Sequence, residues 1–409
     1  MRILHTADWH LGDSIGPRRI DRTRDLQRAV ETIADMCKSE RIDVLLIAGD
    51  LFSDKCNRQD DLSAVIAHLS DTFGPFMREG GTIVACTGNH DREVPCQTLK
   101  HTLTLADPRE MHTGDLVSVG RFYLANRPLF LRLPDRAGGE VQFTLLPYPT
   151  PACYYEPSDS MRATREERNR TLSTRLAERR RKLTESAAFR HDLPTVLAAH
   201  LHVRGANPHK LFQITEDQDV VFNPADLPAG FAYTALGHIH QAQSLGEEHV
   251  RYSGSIERLD LGERDDQKSV TVFEVGRTGL VGKPQLLPLE ATPFFDIDID
   301  DPAAQIPNLR AQYPEHDDAL VKYRLQYEPG EPQRDAWLRE LDEIFPRCYD
   351  RELIRRGDTS HPMGDARLPA DDGSPEHVVL HFLENELLAD PDRDALLALA
   401  RGLLEETRA

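Results

Sequence analysis

Residues 42–52 read Ile-Asp-Val-Leu-Leu-Ile-Ala-Gly-Asp-Leu-Phe. The five apolar residues from Val44 to Ala48, rich in branched side chains, suit a central parallel strand buried on both faces. The run stops abruptly at Gly49-Asp50, which puts a carboxylate at the carboxyl end of the strand. Open α/β sheets place their ligands along that edge. Gly-Asp is also a common strand-ending turn, so the reading depends on how the other apolar runs of the chain end.

Several end the same way. The strand Arg2-Ile3-Leu4-His5-Thr6 breaks into Ala7-Asp8-Trp9-His10, and in extended backbone Asp8 and His10, two apart, face one side. Apolar residues at Leu26, Ala29, Val30, Ile33, Ala34 and Cys37 predict a helix over Asp25–Glu40, giving a β-α-β unit that leads into the Asp50 strand. Residues 60–80 again have helical spacing, and a third strand, Thr82–Thr87, runs into Gly88-Asn89-His90-Asp91. Residues 115–150 predict strands at Leu116–Val119, Arg121–Leu124 and Val141–Leu146. Farther on, Thr195–Ala199 ends in His200-Leu201-His202, and Tyr233–Leu236 ends in Gly237-His238-Ile239-His240. Each ending alone has a structural explanation in turns and caps, but together they form a set. Asp8, His10, Asp50, Asn89, His200, His238 and His240 supply seven oxygen and nitrogen donors, enough for two divalent ions if one carboxylate bridges. Two such ions clamp both oxygens of an in-line displacement at phosphorus. His202 reads as a structural histidine.

Composition bounds the alternatives. The 409 residues are 39% apolar and 29% charged, ordinary for a soluble globular chain of two or three domains. The six cysteines form no C-x-x-C pair and no regular spacing, so neither a zinc knuckle nor a disulfide framework is expected. Met1–Asp8 is too polar for a signal peptide and no stretch is apolar enough to span a membrane, which makes the cytoplasm the expected compartment. A net charge of −19 argues against a generally basic nucleic-acid binder, but the acidity is uneven. Residues 1–290 carry 41 acidic against 36 basic side chains, 291–356 carry 15 against 9, and 357–409 carry 12 against 4. Local contacts to DNA therefore remain compatible with the total. The nine basic residues of Arg162–Lys182 read as a solvated helix face.

The series Asp8-x-His10, Gly49-Asp50, Gly88-Asn89-His90-Asp91, His200 and Gly237-His238-x-His240 resembles the calcineurin-type metallophosphoesterase superfamily. Within it, the strings ILHTADWHLG, AGDLF, TGNHD, ALGHIH and HVRYSGSIERLD resemble the SbcD family, the nuclease subunit of the SbcC–SbcD DNA-repair complex. That resemblance implies a two-sheet α/β sandwich flanked by helices. It implies that Asp8, His10 and His240 hold one ion and Asn89, His200 and His238 the other, with Asp50 bridging, His90 acting as general acid or transition-state stabiliser, and manganese as the metal. It further implies exonuclease and endonuclease action on DNA ends and hairpins with an SbcC-type ATPase, as a homodimer within a heterotetramer. Many relatives have a histidine directly after the GDLF string, where this chain has Ser53. Protein phosphatases of the superfamily carry GDxVDRG and GNHE instead, which this chain lacks. A small-molecule phosphodiesterase, or a DNA-tethering scaffold with structural metals, are the competing readings.

The sandwich is expected over residues 1–290. From Pro293 the order strand (Phe294–Ile299), helix (Ala303–Tyr313), strand (Ala319–Tyr327), helix (Arg334–Phe345), strand (Tyr349–Arg355) predicts a small α+β domain over 291–356, in the resembling family a DNA-guiding cap. Residues 357–374 are turn formers, expected to be a linker. Helical patterns over Pro375–Leu388 and Arg393–Glu406 each carry an apolar stripe with too little core of their own, and so predict a two-helix tail over 375–409 that docks on a partner.

Overall fold

The computed structural model describes residues 1–56, 59–106, 113–135, 138–156, 158–159, 164–207, 220–223, 230–356 and 393–406. Two six-stranded sheets dominate it. The first runs, edge to edge, Gly279–Pro288, Ser269–Gly276, Arg2–Thr6, Val44–Ala48, Thr82–Cys86, Phe122–Ala125, its last four strands mutually parallel. The second runs Gln243–Leu245, Glu247–Tyr252, Tyr233–Gly237, Thr195–His200, Glu140–Leu146, Leu129–Pro134, with four parallel strands in its middle.

Alternation along the strands builds two layers of core from each sheet. Ile3, Val44, Leu46 and Val84 turn inward to meet Leu131, Phe143, Val196 and Ala235 of the second sheet, and Tyr233 stacks on Phe273 across the gap with ring centroids 3.7 Å apart. Leu4, Leu45, Ile47 and Ile83 turn outward under the helices Thr23–Ser39, Gln59–Arg78 and Glu93–Ala106. The buried face of the first helix is Leu26, Ala29, Val30, Ile33, Ala34 and Cys37, the set its sequence periodicity marks. On the far side, Leu172 and Leu176 of helix Arg165–Thr184 cover Leu197, Ala199 and Leu236. The rest of that helix is charged surface as expected, with Arg170, Arg175 and Arg179 paired to Glu166, Asp159 and Glu156.

Two sequence readings need correction. Leu116–Val119 is not a regular strand, since Leu116 makes only an isolated bridge to Arg132, and the strand there is Leu129–Pro134. That strand lies at a sheet edge, where a terminal Pro134 costs no ladder bond. The expected helix Ala303–Tyr313 is three short pieces, Pro302–Gln305, Ile306–Asn308 and Leu309–Gln312, because Pro307 removes a backbone donor in its middle.

The other elements of 291–356 follow the sequence: Phe294–Ile299, Leu320–Tyr327 and Cys348–Arg355 form a third sheet with its own core around Ile299, Val321, Leu341 and Phe345. This small layer is joined to the sandwich by Phe294, Leu320 and Tyr349 against Ile15, and by Arg347 paired to both carboxylate oxygens of Asp25. Residues 1–354 make one compact unit and 355–409 a second. In the second, Arg393–Glu406 is helical as expected, with Leu396 and Leu399 exposed; the linker expected over 357–374 and the helix expected over 375–388 fall outside the described residues. No described helix is long and apolar enough to cross a membrane.

Candidate metal centre

Parallel register brings the carboxyl ends of five strands to one edge. Thr6 pairs with Ile47, Ala48 with Cys86 and Gly237 with His200, so the loops after all of them leave side by side. The two sheets are tied together there by His200, whose Nδ1–H donates to the Ala48 carbonyl at 2.8 Å. His238 N–H donates to Asp8 Oδ1 and Oδ2 at 3.0 and 3.1 Å, and His90 N–H to Asp50 Oδ1 at 2.8 Å.

Asp8 and His10 do not meet by strand alternation. Both have left-handed backbone, with φ of 53° and 46°, as do Asp50 at 52° and His238 at 97°. Such conformations cost non-glycine residues on the order of 1–3 kcal/mol each and gather where the surroundings over-determine them. Here the carbonyl of Asp50 accepts from both Trp9 N–H and His10 N–H, which holds the Asp8 and Asp50 loops in one shape. Gly88 is required for close approach, since a Cβ there would fall 2.1 Å from Asp50 Oδ1.

All eight residues singled out in the sequence converge. Ligand atoms of Asp8, His10 and His240 lie within 4.8 Å of one another, as do those of Asp8, Asp50 and His200, and those of His10, Asp50 and His90. Asn89 Oδ1 is 3.0 Å from His200 Nε2 and 2.9 Å from His238 Nδ1. Asp50 Oδ2 lies between the two sets, 3.2 Å from His200 Nε2 and 3.5 Å from His10 Nε2. Asp8 also approaches His200, at the Nδ1 atom already committed to Ala48, whereas Asp50 Oδ2 faces the Nε2 atoms of both His200 and His10. Asp8, His10, Asp50 and His200 are buried, Asn89 is exposed, and His90, His238 and His240 are half-buried, which leaves the site open on the Asn89 side. His202 is buried behind it, its ring 6.2 Å from that of His238.

The donor set fits divalent cations. His10 Nε2 is buried and makes no hydrogen bond. His200 Nε2 faces two acceptor oxygens, an arrangement that needs a proton or a metal between them. Burial works against a charge on His200, but Asp50 outweighs it and holds the imidazole up at about 9. His240 is likewise penalised by burial and raised to about 9 by Glu263. Burial with no comparable relief drives His10 down to about 4. Against its own burial, Asp50 is held well below the usual carboxylate range by His200 and His10. At neutral pH both imidazoles are thus held protonated, and each would have to give up a proton to serve as a ligand.

Two residues escaped the sequence reading. Asp91 is buried and accepts from the N–H groups of Leu51, Phe52 and Gly88, clamping the loops that carry Asp50 and Asn89; burial and the Asp50 charge push its carboxyl up to about 7. Its place in the GNHD string marks it as part of the motif without showing what it does. Glu263 accepts from His240 Nδ1–H at 2.8 Å, and nothing in Gly262-Glu263-Arg264-Asp265-Asp266 sets it apart from its acidic neighbours.

Residues 1–241 match the Calcineurin-like phosphoesterase family. This chain belongs to that family. Among curated proteins it is 31% identical to the SbcD polypeptide of the SbcCD nuclease from Bacillus subtilis and 29% identical to its counterpart from Rhodobacter capsulatus, each match covering 67% of this chain and 66% of the relative. The chain thus aligns with just under two thirds of the length of these relatives, which bear out the resemblance to the SbcD group. Among solved structures, a dimetal phosphatase from Danio rerio is similar at a TM-score of 0.40 and 10% identity, over 71% of this chain and 99% of that one. The family uses a dinuclear metal site, and the ligand clusters of this phosphoesterase lie where its strands end.

Ser53 is buried, with its hydroxyl bonded to Asp13 Oδ1 at 3.1 Å and accepting from Lys55 N–H at 3.2 Å. Its hydroxyl is thus taken up by Asp13 from the loop after His10 and by the neighbouring Lys55 amide.

Proposed function

We propose that this phosphoesterase is a manganese-dependent nuclease, a 3'-5' exonuclease on double strands and an endonuclease on single strands and hairpins, that processes DNA ends in repair with an SbcC-type ATPase. The observation that carries the reading is the convergence of seven donors at five strand ends, open to solvent beside the half-buried His90. Asp8, His10 and His240 would hold one ion, Asn89, His200 and His238 the other, and Asp50 both. When bound, the ions supply the positive charge that offsets charge developing on the attacking and leaving oxygens of an in-line displacement at phosphorus. His90 holds the proton that the leaving sugar oxygen takes up, with Asp54 Oδ1 facing its Nδ1 at 3.8 Å. The layer at 291–356, seated beside the loop that follows His10, is proposed to guide DNA. The two curated relatives, both components of a nuclease, support a nucleic acid over a small phosphodiester. Manganese-dependent cleavage of linear DNA by the purified chain tests this; cleavage confined to small phosphodiesters would favour the competing enzyme class, and DNA binding without cleavage the scaffold.

The C-terminal segment is proposed to dock the ATPase. Leu396 and Leu399 expose apolar surface on the Arg393–Glu406 helix, and the acidic balance of residues 357–409 favours a protein with basic flanks over DNA. A chain ending at Asp358 should lose capture of an SbcC-type partner while cleaving a small phosphodiester at the full rate. Undiminished capture would move the docking site to the 291–356 layer. A homodimer within that complex is part of the same proposal.

A further inference from the structure

We infer that Glu263 is a positioning residue that fixes the tautomer of His240 and so decides whether the Asp8–His10–His240 ion can bind, an inference that rests on the two-ion reading above. Glu263 is fully buried at the end of the short turn Leu261–Glu263. Its two oxygens have different duties. Oε1 accepts from His240 Nδ1–H at 2.8 Å. Oε2 accepts from Lys268 Nζ at 2.5 Å and from Leu259 N–H at 3.3 Å.

Neither of those last two groups can act as an acceptor at neutral pH, so the atom at the Oε2 position has to carry lone pairs. With a carboxylate this leaves Oε1 free to take the His240 Nδ1 proton, and Nε2 is then the one ring nitrogen of His240 with a lone pair to offer a cation. A carboxylate behind a metal-binding imidazole is a general way to fix ring orientation and raise ligand basicity. The frame behind Glu263 is equally specific. Lys268, also buried, donates to Ser255 Oγ at 2.9 Å and to the His240 carbonyl at 3.1 Å, and Ser255 N–H donates to that same carbonyl at 3.1 Å. The Ser253-Gly254-Ser255 turn, part of the string after His249, thus holds the backbone of His240 while Glu263 holds its ring. Gly254 sits at φ +77°, with a would-be Cβ 2.7 Å from the His240 carbonyl.

Glu263→Gln separates the proton from the packing. Lys268 and Leu259 force the amide oxygen into the Oε2 position, so the amide NH₂ meets His240 Nδ1. That nitrogen then has to accept, the ring proton moves to Nε2, and the lone pair facing Asp8 and His10 is lost. Lys268 keeps Asp266 as a counter-ion at 3.2 Å, so the fold should survive. Glu263→Asp keeps an acceptor and with it the Nδ1–H tautomer.

The experiment loads the full chain and both variants with manganese and counts bound ions by elemental analysis and electron paramagnetic resonance. The wild type should bind two ions with the spin-coupled signal of a pair. Glu263→Gln should weaken the first ion at least about 10–100-fold, leaving one ion with the six-line signal of isolated Mn²⁺. Glu263→Asp should recover the pair at higher manganese. The melting temperature of the metal-free proteins separates a folding defect from a lost ion. A pair signal at wild-type manganese in Glu263→Gln, or equal losses in the Gln and Asp variants, would overturn the inference. A wild-type chain with only isolated ions would overturn the two-ion reading instead.

Discussion

Asp50→Asn should leave the chain with close to no bound manganese, against about two ions in the wild type. The expectation rests on one oxygen. Asp50 Oδ2 lies 3.2 Å from His200 Nε2 and 3.5 Å from His10 Nε2, atoms assigned to different ions, while Oδ1 is occupied by the His90 amide. An amide at this place has no net charge to set against two dications, and it presents at most one oxygen to two histidines. Asp8→Asn should behave differently. Its carboxylate is held by the His238 amide, and its approach to His200 is to a nitrogen that donates to Ala48, so its loss should remove chiefly the ion shared with His10 and His240. Elemental analysis of the two variants after dialysis decides the matter. One ion at full occupancy in Asp50→Asn would refute the bridge.

What the sequence made legible, and what it did not, divides along one physical line. Buried parallel strands advertise themselves as apolar runs, and a functional residue that ends such a run stands out against it, which is why Asp50, Asn89, His200 and His238 could be read in order along the chain. The local backbone at these points could not be read. Asp8 and His10 were expected on one side of an extended strand, and they meet through left-handed turns that only the neighbouring Asp50 loop explains. Periodicity located the helix Thr23–Ser39 down to its buried face, but in 302–312 a single proline overrode it. Glu263, Lys268 and Asp91 were illegible for a different reason. Their importance lies in which polar atom each one faces: Glu263 gives no sign of being buried until its loop folds against His240, 23 residues earlier, Lys268 is fixed only by facing Glu263, and Asp91 only by the amides of Leu51, Phe52 and Gly88.

His90→Ala should lower the rate of DNA cleavage by about 10²–10⁴-fold, the range for removing one general acid or base, with two ions still bound. What its ring faces sets His90 apart from the seven donors, since three of them, Asn89, His238 and His240, are also half-buried or exposed. Its backbone amide serves Asp50, so the loop is held whatever the side chain is, and truncation should not disturb the bridge. Its ring lies 4.7 Å from the ring of His10, at the solvent side of the cluster, and Asp54 on the opposite flank is 3.8 Å from Nδ1. A ring so placed could instead serve as an eighth ligand, since its nitrogen comes within 4.8 Å of ligand atoms of His10 and Asp50. The two roles part on a simple measurement. A proton donor matters only to the leaving oxygen, so in His90→Ala the loss should fall on kcat, with metal count and manganese affinity unchanged, and it should shrink on a substrate whose leaving group needs no proton, such as a nitrophenyl phosphodiester. A ligand would show lost manganese and an equal deficit on both substrates. Full cleavage of linear DNA by a folded, metal-loaded His90→Ala chain would remove His90 from the chemistry altogether, and with it the argument that the open side of this centre is built for phosphodiester hydrolysis rather than for holding two ions as a structural clasp.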